Sequence, residues 1–124
     1  MITKRIKEVE DLKKSELSEV EQLEQKVDAE IGRGDLDAAI TTFTQIMSLR
    51  KATLKELKAS GGDQEAAKYD RATTLKKFGR TLVRKNDRNN ALRAYKDALK
   101  LYKQIGMSEE APEVIQAQAE FEKI

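Results

Sequence analysis

Apolar residues recur along this chain at intervals of three and four, broken by short clusters of Gly, Asp, Asn and Ser. That is the period of amphipathic helices, and the breaks divide the chain into five of them. The first, roughly residues 3 to 32, carries Ile6, Val9, Leu12, Leu17, Val20, Leu23, Val27 and Ile31 at helix-like spacing. The spacing slips around Lys13-Lys14-Ser15, and Ser18-Glu19-Val20-Glu21 has the form of a capping box. This stretch therefore reads as one bent helix, with an N-terminal arm over 1–17 and a separate helix as the alternative. Gly32-Arg33-Gly34-Asp35 closes it, glycine supplying the left-handed backbone and Asp35 a cap for the next helix. The second helix runs from about Leu36 to Ala59, with Ala39, Ile40, Phe43, Ile46, Met47, Leu54 and Leu57 inward. Ser60-Gly61-Gly62-Asp63 is the clearest break. A third helix from about Asp63 to Lys85 turns Ala66, Ala67, Leu75, Phe78, Leu82 and Val83 inward. After Asn86-Asp87-Arg88-Asn89, a fourth helix over about 90–105 does the same with Ala91, Leu92, Tyr95, Ala98, Leu99, Tyr102 and Ile105. Gly106-Met107-Ser108 stops it. Ser108 is the expected cap of a fifth helix that has Pro112 in its first turn and presents Val114, Ala117, Phe121 and Ile124.

The pattern repeats. Leu23, Gly34-Asp35, Ala39 and Phe43 correspond to Leu75, Asn86-Asp87, Ala91 and Tyr95 at an offset of 52, while Ser60-Gly61-Gly62-Asp63 corresponds to Ile105-Gly106-Met107-Ser108 at an offset of 45. Helix two is thus seven residues longer than helix four. Seven residues are close to two full turns, so the same face stays inward. The expected architecture is all-α: antiparallel hairpins over 18–59 and 63–105, stacked, with a terminal helix over 108–124.

Composition agrees with a single helical domain of 124 residues: 37% charged, 5% aromatic, one Pro and no Trp. With neither Cys nor His, disulfides, thiolate metal sites and the usual general base are excluded. The carboxylates are interleaved with lysines at helix-surface spacing, Gly32-x-Gly34 is a turn, and Asp35-x-Asp37 lacks the rest of a calcium loop. No enzyme activity, metal or cofactor is expected. The longest apolar run falls well short of a membrane span, so the expectation is a soluble, cytoplasmic protein without membrane insertion. Charge is segregated behind a net of only +2: residues 76–103 hold 10 basic and 2 acidic groups, while residues 104–124 hold 1 and 5.

Leu75-x-x-Phe78-Gly79-x-x-Leu82, followed by Ala91-x-x-x-Tyr95-x-x-Ala98, resembles the tetratricopeptide repeat pattern W-x₂-L-G-x₂-Y…A-x₃-F. Leucine replaces the Trp and the first Tyr, and Lys103 stands where that family often has proline. The first copy departs further, because Lys26 and Glu30 occupy slots that are apolar in the family. The alternatives are a plain antiparallel bundle or a three-helix module similar to the microtubule-interacting-and-transport domain. The resemblance implies a short stack that binds a protein or peptide as an adaptor, with the first helix of each pair lining a concave groove.

By that resemblance Thr73, Lys76, Arg80, Val83 and Arg84 face the groove from the third helix, and Glu24 and Asp28 face it from the first. Lys76 and Arg80 are four apart and share a helix face, as a carboxylate grip requires. Glu24 and Asp28 would repel a carboxylate, so they are expected to pair across the groove with Lys76 and Arg80 or to select a ligand of mixed charge. A second basic line, Arg93, Lys96, Lys100 and Lys103, runs down the fourth helix opposite its apolar face. It suits nucleic acid or an anionic surface, although stacking aromatics are missing because Tyr95 and Tyr102 fall inward. The plain alternative for both sets is solvated charge. The apolar faces of the arm (Ile2, Ile6, Val9) and of the last helix (Phe121, Ile124) either pack on their own chain or pair with a second copy as a structural homodimer.

Overall fold

Residues 19–124, which the computed structural model describes, form five helices and no strand. α1 is described over residues 19–32. α2 is Leu36–Ser60, α3 Glu65–Arg84, α4 Arg88–Gln104 and α5 Pro112–Glu122. α1 with α2, which share a buried cluster, and α3 with α4 make two antiparallel hairpins that stack through α2 and α3, and α5 packs back on α4.

The repeat is written into the backbone. At the end of α1, Gly34 N donates to Ile31 O (3.0 Å) and Asp35 N to Glu30 O (2.9 Å). At the end of α3, 52 residues on, Asn86 N donates to Val83 O (3.0 Å) and Asp87 N to Leu82 O (2.9 Å). This double bond is the Schellman closure, which needs a left-handed residue just past the helix. Gly34 (φ 75°) and Asn86 (φ 63°) fill that place. Asp35 and Asp87 then cap the next helix, accepting from Ala38 N and Asn90 N. The offset of 45 reappears likewise: Gly61 and Gly62 donate to Lys58 and Leu57, and Gly106 and Met107 to Lys103 and Tyr102.

Two helix starts lie later than expected. α3 begins at Glu65 rather than Asp63, whose carboxylate instead accepts from Glu65 N (2.9 Å). α5 begins at Pro112, not at Ser108. Steric crowding by the proline ring holds Ala111 extended (φ −62°, ψ 136°), which separates Ser108 from the helix. Residues 108–111 form a turn closed by Ala111 N to Ser108 O, and the Ser108 hydroxyl accepts from Glu110 N.

Two sets of fully buried apolar residues make the core. Val27, Ala39, Phe43 and Ile46 fill the first hairpin, and a larger set including Leu75, Leu82, Ala91, Tyr95, Ala98 and Tyr102 fills the second. Phe78 packs against both sets, and its ring centroid lies 5.4 Å from that of Phe43. Ile40 and Met47 of α2 also pack against the second set. The hairpins therefore share one apolar seam with Phe78 as its hinge pin. Val83 and Ala66, expected inward, are exposed, whereas Ala72, Ala94 and Leu101 are buried. Glu30, an acid in a slot expected to be apolar, is buried, and Thr42 Oγ1 donates to it. That bond replaces part of the solvation lost on burial.

Candidate functional site

α3 has two neighbours on its outer faces, and they use its polar residues differently. On one side is α5. Lys76 is only 6% exposed, and its Nζ donates to Gln116 Oε1 at 3.0 Å. One turn later Arg80 grips Glu120 with two bonds, Nε to Oε1 and Nη2 to Oε2, the latter 3.0 Å. The Tyr95 hydroxyl donates to the same Glu120 Oε1 at 3.0 Å. Lys76 and Arg80 advance by four as Gln116 and Glu120 do, so α3 and α5 run parallel.

The electrostatics follow from these contacts. Hydrogen bonding from Arg80, then from Tyr95, holds the Glu120 carboxyl below the usual carboxylate range. Burial pushes the Tyr95 hydroxyl up, and its bond to Glu120 adds to that. Burial lowers Lys76, and Arg80 beside it acts in the same direction. A carboxyl lowered in the folded state stabilises the structure above its ordinary value of about 4.3, and that contribution disappears as pH falls through the lowered value. Carboxyl-carbon NMR should therefore place the Glu120 midpoint below the ordinary carboxylate value in the intact chain and move it upward in Arg80→Gln. A midpoint at or above the ordinary value in the intact chain would show that Arg80 does not hold Glu120.

On the other side, α1, α2 and α3 enclose a cleft of about 180 Å³. Its lining includes Glu24, Val27 and Asp28 from α1, Phe43, Ile46 and Arg50 from α2, and Tyr69, Asp70, Thr73, Thr74 and Lys77 from α3. Arg50 organises it. Its Nε donates to Thr74 Oγ1 (3.1 Å), its Nη2 pairs with Glu24, and its Nη1 lies 3.8 Å from Asp70. Tyr69, 38% exposed, packs its ring 5.9 Å from Tyr102, whose hydroxyl lies 3.3 Å from Thr73 Oγ1. Asp28 and Lys77 are exposed, and they put opposite charges on the cleft's rim.

The expected groove is thus divided. Lys76 and Arg80 are held against α5, so the expected pairing of Glu24 and Asp28 with them does not form. Glu24 goes to Arg50, and Asp28 lies in the cleft with Lys77. Val83, 43% exposed, and Arg84 remain on the surface. The basic line Arg93, Lys96, Lys100 and Lys103 is exposed, on the side of α4 away from the buried Tyr95 and Tyr102. Phe121 and Ile124 are half-buried against their own core, while Ile2, Ile6 and Val9 lie outside the described residues. Arg50 gave no sign of its role, because an arginine among helix-surface charges shows its partners only when three helices are assembled. The sign for α5 was present in the acidic tail that follows a segment of net +8.

Among the described residues no helix is long and apolar enough to cross a membrane, and no cluster of acidic side chains has the make-up of a metal site. Comparison with protein-family models, with curated proteins and with solved structures returned no match. The geometry of α3 and its two neighbours is therefore the basis for a functional reading.

Proposed function

We propose that this chain is a protein-interaction module of tetratricopeptide-like architecture, an adaptor that receives a partner segment of mixed charge in the cleft between α1 and α3. The turn geometry repeated at offsets of 52 and 45 supports that architecture, as do Gly79 of α3, against which the Tyr95 ring of α4 packs, and the parallel course of α3 and α5. The observation that carries the binding site is the cleft itself. Arg50 ties its three walls together, Tyr69 offers an exposed aromatic face, and Asp28 and Lys77 set an acid and a base on the rim. An arginine already bonded to Glu24 and Thr74 costs a partner no ordering, and a rim of both signs selects register more than it adds affinity. A segment that places a base near Asp28 and an acid near Lys77 would complement it.

The test reverses the rim. Asp28→Lys with Lys77→Glu should lower capture of the partner from native lysate at least about tenfold, the size of one lost polar anchor. Both side chains are exposed, so the melting temperature should hardly move. Capture unchanged by the double substitution would place the site away from the cleft.

A further inference from the structure

We infer that α5 is a displaceable ligand of its own chain, and that the surface beneath it on α3 and α4 accepts a foreign acidic amphipathic helix. That helix would carry a small residue with a carboxylate three positions later. The inference goes beyond the cleft and does not depend on it.

The hold on α5 is polar at one edge, and elsewhere it rests on Ala117 with Val114 and Phe121 partly buried against the core. Lys76 and Arg80 grip Gln116 and Glu120, with Tyr95 adding its hydroxyl. Of the 11 residues of α5, Ala117 alone is fully buried, and Ile115 is 54% exposed. An 11-residue helix is too short to persist by itself in water, so α5 exists only while docked. Its start has no side-chain cap, and its last turn has no base to complement the exposed carbonyls. The segment joining it to α4 is non-helical and contains the left-handed Gly106, which can take up a change of direction. Segments with few buried contacts are those that open locally while the rest of a fold stays closed.

The docking surface is built without α5. Tyr95 packs on Gly79 inside the α3–α4 interface, which is more extensive than that of α2 with α3 or of α4 with α5, and the Asn86-Asp87 turn fixes the two helices independently. If α5 leaves, a cationic pair is bared beside apolar surface that had covered Ala117 and Phe121. The sequence Gln116-Ala117-x-x-Glu120-Phe121 states what that surface accepts. An amide meets Lys76, a small residue allows close approach, a carboxylate meets Arg80 and Tyr95, and an aromatic covers the edge. The partner is another acidic helix of that pattern, competing with the tethered one.

Two measurements on the full chain decide. In hydrogen exchange, α5 amides should open while α3 and α4 stay closed, with protection at least about 100-fold lower than at the centre of α4. Exchange of α5 and α4 as one unit would overturn the inference. In the second, a labelled peptide of residues 108–124 is titrated into the unaltered chain and into Glu120→Lys, whose own α5 is repelled by Arg80. Binding at least tenfold tighter to Glu120→Lys is expected, and it should be lost when Arg80→Glu is added. Equal binding to the unaltered and Glu120→Lys chains would also overturn it. Should Glu120→Lys lose its helical circular dichroism, the exchange measurement on the unaltered chain decides alone.

Discussion

Phe43→Ala should lower the unfolding free energy by about 3–5 kcal/mol, the usual range for removing a fully buried phenylalanine ring. Phe43 is 1% exposed and packs among Val27, Ala39 and Ile46. Its ring also meets Phe78, which belongs equally to the core of the second hairpin. The cavity would therefore open at the join between the hairpins, where neither can close over it without drawing away from the other. Urea unfolding followed by circular dichroism should show one transition at a lower midpoint. A loss below about 1 kcal/mol would mean that Phe43 lies where water or a flexible neighbour can fill its place. A new, separate transition for the first hairpin would mean that the seam is not shared.

Gly79→Ala should destabilise by about 2 kcal/mol, against the normal direction of that substitution. In an ordinary helix interior it gains nearly 1 kcal/mol through lower chain entropy. Here a methyl group would stand 2.7 Å from Cε2 and 2.9 Å from Cδ2 of Tyr95. The ring is 1% exposed and its hydroxyl is held by Glu120, so it has nowhere to turn. Overpacking of this kind costs about 1–3 kcal/mol, and displacing the ring also breaks the bond to α5. Gly32 is the control: nothing lies within 4 Å of its added methyl, so Gly32→Ala should be neutral or mildly stabilising. Combining Gly79→Ala with Tyr95→Leu should cost less than the sum of the two, since the smaller side chain removes the clash. Strict additivity would show that the two residues do not touch.

Local rules made most of this architecture legible. Helix periodicity, the turn residues and the cap Asp35 each act over a few positions, and the helices follow from them, although Asp87 reads in the sequence only as part of a turn and caps α4 two residues earlier than expected. The offset of 52 foretold the repeated closure at Gly34 and Asn86, because a left-handed residue followed by a capping Asp specifies one backbone path. What was not legible depended on assembly. Lys76 reads as a solvated cation until α5 lies across it, and the register of α5 depends on how Pro112 redirects the chain. Ala94 and Leu101 could be placed only once α4 had neighbours on two sides. Arg50 joins Glu24, Thr74 and Asp70 from three helices, and no spacing in the sequence connects them. The candidate cleft is made largely of such contacts, so the sequence named Glu24, Asp28 and Thr73 of its lining but not Arg50.

Two hairpins closed over one seam define this fold, and the chain's three phenylalanines allow a direct test of that closure. With phenylalanine rings selectively labelled, a nuclear Overhauser spectrum should show strong cross-peaks between Phe43 and Phe78, whose centroids are 5.4 Å apart. Ring protons of Phe78 that contact α4 alone, with no cross-peak to Phe43, would contradict the stacked arrangement.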